Sequence, residues 1–138
     1  MIVLDTDIVS LLFSGHESVA ERYRAATDLV VITVISRVEI LRGRFATLLK
    51  AADGAELQRG QARLDRADSD LSTLRILPIG SNAAAEFDRL RQEKKLKKIG
   101  RAHLLIASVA LANQALLVTR NIRHFQQIPG LRIENWSD

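Results

Sequence analysis

Ile2-Val3-Leu4-Asp5-Thr6-Asp7 opens the chain, and the reading of this stretch decides the fold. Three apolar, partly β-branched residues make a short buried strand. Carboxylates placed straight after such a run stand at the carboxyl edge of a sheet, where open α/β folds bind their ligands. Asp5 ends the run directly and is a site candidate, with turn residue or helix cap as its plainer role. Asp7 reads as the cap of a short helix ending at Phe13.

Outward from that strand, strands and helices take turns. Glu17–Ala26 reads as a helix, and Leu29-Val30-Val31-Ile32 as a strand without alternation, hence buried on both faces. Ser36 caps a helix, with Glu39 at capping-box spacing, and that helix is expected to bury Val38, Leu41, Phe45, Leu48 and Leu49. After the Asp53-Gly54 turn, Glu56–Leu74 completes a helical hairpin. Arg75–Ile79 is a strand whose proline puts its end at an edge or exit. Ser81–Lys95 is a helix burying Ala84, Phe87 and Leu90. Ile99-Gly100 breaks it, and an apolar helix runs from Ala102 to Asn113. Ala115–Val118 is a strand, Asn121–Gln126 a helical turn, and Leu131–Ile133 a last strand. The expected fold is a three-layer α/β/α domain with a central, mainly parallel sheet of four to five strands.

The 138 residues suit one domain spanning 1–138, and an apolar share of 47% is ordinary for a globular protein. With no cysteine, disulfides, thiolate metal sites and cysteine nucleophiles are excluded. Met1 leads into the strand without a signal-peptide pattern. The longest apolar stretches, Leu29–Ile35 and Leu104–Ala112, are too short for a membrane span. A cytoplasmic protein is expected. Net charge is +4 and the sequence pI is near 10.0, which permits a polyanionic partner. Arg91, Lys94, Lys95, Lys97, Lys98 and Arg101 crowd one stretch, opposed only by Glu93. Two readings stand for it: a solvated helix end or a phosphate-binding patch.

The chemistry follows from where strands end. Asp5 follows the first strand, Glu39 lies one turn into the helix after the second, His103 opens the helix before the fourth, and Asn121 follows that fourth strand. Such a sheet brings all four to one edge. Clustered carboxylates raise each other's pKa unless a cation neutralises them, so the economical explanation is a hard divalent metal held by oxygen ligands. Bland roles stand beside the metal role: Glu39 closing the capping box with Ser36, Asn121 capping its turn, His103 a plain first-turn residue, His16 and His124 surface or satisfied positions. The sequence has no Walker-type phosphate loop, no GxGxxG after a strand and no nucleophile elbow. It also lacks the acceptor aspartate that a phosphorylated receiver domain would need after a central strand.

The blocks IVLDTD (2–7), SRVEILRG (36–43), IGRAHLLIAS (99–108) and LVTRNIRHFQQIPGLRIENW (117–136) together resemble the PIN-domain ribonucleases of the VapC type, the toxin half of VapBC toxin–antitoxin pairs. The resemblance covers nearly the whole chain. It implies a metal-dependent endoribonuclease that uses Mg²⁺ or Mn²⁺, forms a homodimer and is blocked by a VapB-type antitoxin. In that pattern Asp5 and Glu39 are the first two acids, and Asn121 fills a position taken by acid or amide. Asp7 and Thr119 would orient the ligands from behind. The third acid should be an aspartate, and here it is His103. His124 is a milder departure, where relatives often carry another aspartate.

An imidazole at 103 removes a negative charge from the site and suits zinc, nickel or copper better than magnesium, with manganese intermediate. The expected function is therefore a metal-dependent endoribonuclease toxin of reduced activity. The alternative is a catalytically inactive module of the same fold that binds RNA or its antitoxin without cleavage. Arg37, Arg42, Arg120 and Arg123 flank the site blocks and, with Lys94, Lys95, Lys97, Lys98 and Arg101, are the expected phosphate contacts. With four phenylalanines, one tyrosine and one tryptophan, recognition of RNA by base stacking is expected to be limited.

Overall fold

The structure, a computed structural model, describes all residues 1–138. Five strands, β1 (Ile2–Leu4), β2 (Val30–Thr33), β3 (Arg75–Leu77), β4 (Leu116–Val118) and β5 (Arg132–Glu134), form one sheet in the order β3-β2-β1-β4-β5. Every pairing is parallel. Seven α-helices connect them: α1 (Thr6–Phe13), α2 (Glu17–Ala25), α3 (Val34–Leu49), α4 (Gly54–Leu71), α5 (Ser81–Arg91), α6 (Arg101–Ala112) and α7 (Ile122–Phe125), with a 3₁₀ turn at Lys94–Leu96. The three-layer arrangement expected from the sequence is the one observed.

Side chains alternate along a strand, so a sheet buried on both faces must feed two cores. Val3, Val31 and Leu117 enter one core with Leu90, Ile106, Val109 and Phe125 from α5, α6 and α7. Their strand neighbours Ile2, Leu4, Ile32 and Val118 enter the other, with Ile8, Val9 and Val19 from α1 and α2, Leu71 from α4, and Trp136. Each fully buried aliphatic side chain contributes about 2 kcal/mol of transfer free energy. No helix is long and apolar enough to cross a membrane.

Several local expectations are corrected. β2 runs into α3 without a loop, so Thr33 is the cap: its Oγ1 accepts the Ser36 N–H. Ser36 therefore lies inside the helix, and it forms no capping box with Glu39. Likewise Asp5 caps α1, and Asp7 sits in its first turn. The α3 residues Val38, Phe45 and Leu49 are exposed at 50%, 50% and 69%, because α3 turns Ser36 and Ile40 inward instead. In α5 Leu90 is buried as expected and Phe87 half-buried, but Ala83 is buried in place of Ala84, which is exposed. That helix stops at Arg91; Lys94 and Lys95 lie in the 3₁₀ turn, Lys97 and Lys98 in the loop after it, and Arg101 opens α6. β3 ends at Leu77, just before Pro78, as an edge strand.

Helices α3 and α4 form the expected hairpin. Gly60 is buried there, and a Cβ on it would lie 3.0 Å from Leu48 Cδ1 and 3.2 Å from Leu48 Cα. The glycine thus lets the two helices approach closely.

Candidate functional site

At the carboxyl ends of β1 and β4, Asp5, Thr6, Asp7, Glu39, His103, Arg120 and Asn121 line one cavity of about 480 Å³ with no apolar residue among them. All four residues expected to converge from separate segments do so. Strand β1 delivers Asp5, α3 delivers Glu39 nearly two turns after β2, α6 carries His103 in its first turn, and the turn after β4 brings Arg120 and Asn121.

Asp5 is 2% exposed and tightly placed. Its Oδ1 accepts the Thr6 N–H at 2.9 Å, and its Oδ2 accepts the Thr119 hydroxyl at 2.8 Å. The Thr119 Oγ1 in turn accepts the Asn121 N–H at 2.9 Å. Thr119 thus orients Asp5 from behind, the position expected for it. Thr6, which sequence reasoning passed over, is the second organiser. Its Oγ1 donates to Glu39 Oε1 at 2.6 Å and stands 2.8 Å from the Ser36 Oγ. A hydroxyl has one proton, so Ser36 is the donor to Thr6. The clue was present: a hydroxyl between two aspartates at a strand end, with a second hydroxyl three residues before Glu39.

Asp7 departs most from its expected role as a cap. Its Oδ1 is buried and has no hydrogen-bond partner, although the residue lines a polar cavity. Burial lifts the Asp5 carboxyl above the usual carboxylate range, and the Asp7 charge lifts it further. Burial also lifts Asp7, against the pull of the Ile8 backbone and the Arg120 charge. Asp5, Asp7 and Glu39 carry three negative charges when ionised, and Arg120 returns one positive charge. A buried carboxylate oxygen without a partner, beside other carboxylates, is what a hard cation with oxygen ligands would satisfy. No three of the histidine and acidic side chains, however, stand close enough together to form a ready-made metal cluster.

The raised pKa values fix a sign. Both acids bind protons more tightly in the folded chain, so their ionisation costs stability as the pH rises from the ordinary value of 3.8 through the folded pKa. Without metal, Asp7→Asn is expected to melt with the wild type near pH 4 and about 3 °C (about 1 kcal/mol) above it at neutral pH. Thermal melts across that range in a chelator check this, and a difference that ignores pH would refute it.

His103 packs edge-on against Phe125, with ring centroids 5.5 Å apart, and its ring lies 6.5 Å from that of His124. His124 is satisfied: its Nδ1 pairs with the Asn121 side-chain amide at 2.7 Å. Asn121 makes no side-chain cap for α7. His16 caps α2 by accepting the Val19 N–H and lines no part of the cavity. Of the nine expected phosphate contacts, Arg120 alone lines it. Arg42 faces the α3–α4 groove, Lys97 and Arg101 line another cavity, and Arg37, Lys94, Lys95, Lys98 and Arg123 are exposed elsewhere.

The family model for the PIN domain matches residues 2–131. Ribonuclease VapC2 of Rickettsia felis is 38% identical over an alignment of 91 residues, with 59% of this chain and 68% of that protein covered. The tRNA(fMet)-specific endonuclease VapC of Salmonella typhimurium is 29% identical over 129 residues, 83% of this chain and 98% of that one. Among solved structures, VapBC2 of Rickettsia felis bound to promoter DNA matches with TM-score 0.77 at 32% identity, covering 99% of both chains. The DNA-bound VapBC of Salmonella typhimurium matches with TM-score 0.82 at 27% identity, covering 98% of this chain and 97% of that one. With the sheet order, the acidic cavity and these likenesses in agreement, the chain belongs to the PIN-domain family, in its VapC type.

Proposed function

We propose that this chain is a divalent-metal-dependent endoribonuclease, the toxin of a VapBC-type pair. The observation that carries the reading is the cavity that Asp5, Asp7 and Glu39 line together, with the Asp7 Oδ1 buried and unpartnered. In this reading Asp5, Asp7 and Glu39 hold the cation, Mg²⁺ or Mn²⁺, with His103 beside them. A bound divalent ion supplies a water of lowered pKa and stabilises charge on a phosphoryl oxygen. Thr119 and Thr6 hold Asp5 and Glu39 in place, so the acids lose little entropy on meeting a ligand. Arg120 offers a cation to the RNA phosphate. The test is cleavage of a labelled RNA by the purified protein with Mn²⁺ and with Mg²⁺, against a chelator control.

A second reading, binding of RNA without cleavage, is favoured by one observation: the acids and His103 do not form a preassembled ligand set. In the first reading His103 lowers activity with magnesium, because imidazole is a poor partner for that ion.

The partner side of the proposal rests on α3 and α4. Val38, Leu41, Phe45 and Leu64 line an open groove of about 610 Å³, edged by Arg42, Asp65 and Asp68. An exposed apolar patch of this kind marks a protein-binding face, and we assign it to the cognate antitoxin, the toxin itself being a homodimer. Phe45→Glu is expected to weaken a complex with the antitoxin from the adjacent reading frame at least about tenfold by calorimetry. Its melting temperature should stay near that of the wild type, since Phe45 is half exposed. Unchanged affinity would remove the groove from that role.

A further inference from the structure

A second cavity shares the first turn of α6 with the acidic one. His103 lines the acidic cavity, and the next residue, Leu104, lines the second, of about 280 Å³. Its floor is apolar: Leu96, Ile99 and Leu104 are nearly buried, and Phe87 packs beside them with part of its ring exposed. Its rim is cationic, formed by Arg91, Lys97 and Arg101. None of the three has an ion-pair partner. The Arg101 guanidinium instead lies over the Phe87 ring, 5.2 Å from its centroid.

An apolar floor with an aromatic face, ringed by unpaired cations, suits a ligand with a flat apolar body and an anionic tail. A nucleotide is such a ligand: its base stacks on an aromatic or guanidinium plane, and its phosphate meets arginine or lysine. We propose that this cavity receives a base of the RNA next to the nucleotide held in the acidic cavity. The base stacks on the Arg101 guanidinium, which the Phe87 ring holds in place beneath it, while Arg91 and Lys97 hold the adjoining phosphates. The proposal rests on the ribonuclease reading above. It also assigns a stacking site to a chain whose few aromatic residues gave no sign of one, because Phe87 acts together with a cation from the following helix.

The test compares two probes of equal charge in a chelator: a fluorescent octauridylate and an eight-unit abasic ribose-phosphate chain. By fluorescence anisotropy the protein should bind the base-bearing probe about tenfold more tightly. Phe87→Leu, which keeps the apolar packing, should remove most of that preference, and Phe87→Tyr should retain it. Arg91→Gln and Lys97→Gln should each lower the slope of log affinity against log salt by about 0.7 for both probes. If both probes bind equally, or if Phe87→Leu keeps the full preference, the base site is wrong while the ribonuclease reading stands. Equal binding is also what a cavity for an acidic peptide would give. If neither probe nor any longer RNA binds, the failure belongs to the ribonuclease reading, and the base site falls with it.

Discussion

Asp5→Asn is expected to reduce RNA cleavage by about a thousandfold, the scale of losing a charged group that acts in the transition state. The substitution keeps shape and one acceptor. The amide oxygen can still accept the Thr6 N–H, and the Thr119 hydroxyl can turn to accept from the new amide group. What disappears is a full negative charge at a side chain that is 2% exposed. Burial already penalises that charge in the folded chain, so the variant should be at least as stable as the wild type without metal. A cation binding only the folded chain raises its stability by an amount set by concentration over Kd. The wild type should therefore gain melting temperature with Mn²⁺, and Asp5→Asn should lose most of that gain. Cleavage kinetics and melts with and without Mn²⁺ check both statements. Wild-type cleavage rates in the variant would remove Asp5 from the chemistry.

His103→Asp is expected to act in the opposite direction and to raise magnesium-supported cleavage at least about tenfold. It places a carboxylate beside Asp5 and Asp7, whose pKa values already respond to the charge at this position. Magnesium takes oxygen ligands at short distances in octahedral geometry, so the added oxygen favours it more than manganese. The ratio of rates in Mg²⁺ to rates in Mn²⁺ should rise. Without metal, the same change adds a third acid to the Asp5–Asp7 pair and removes the edge contact with Phe125. The metal-free variant should melt lower than the wild type and recover when magnesium is added. A reversion that restores cleavage with neither metal would place position 103 outside the metal site.

The site was legible where it depended on strand ends. Asp5, Glu39, His103 and Asn121 each follow or precede a run whose apolar character marks a strand or a buried helix, and a parallel sheet brings such positions to one edge. It was not legible where it depended on one or two residues of helix register. Because β2 continues straight into α3, Thr33 takes the cap that Ser36 was expected to hold, and Ser36 is freed to meet Thr6. Because α1 begins at Thr6, the cap falls to Asp5, and Asp7 sits in the first turn, lining the cavity with one carboxyl oxygen buried and unpartnered. The apolar residues Val38, Phe45 and Leu49 recur at helical spacing whether the helix face meets a core or solvent. Periodicity alone cannot separate the two.

By itself, the amino-acid sequence determined the alternation of apolar strands and amphipathic helices, the two-sided burial of the sheet and the edge at which its polar residues gather. Those properties follow from local periodicity and from which side chains water rejects. Only the tertiary structure decided the hydroxyl relays behind Asp5 and Glu39, the exposure of the α3 face, and the pairing of Phe87 with Arg101 beside the acidic cavity. Each joins residues from different elements, and their meeting depends on how helices dock on the sheet.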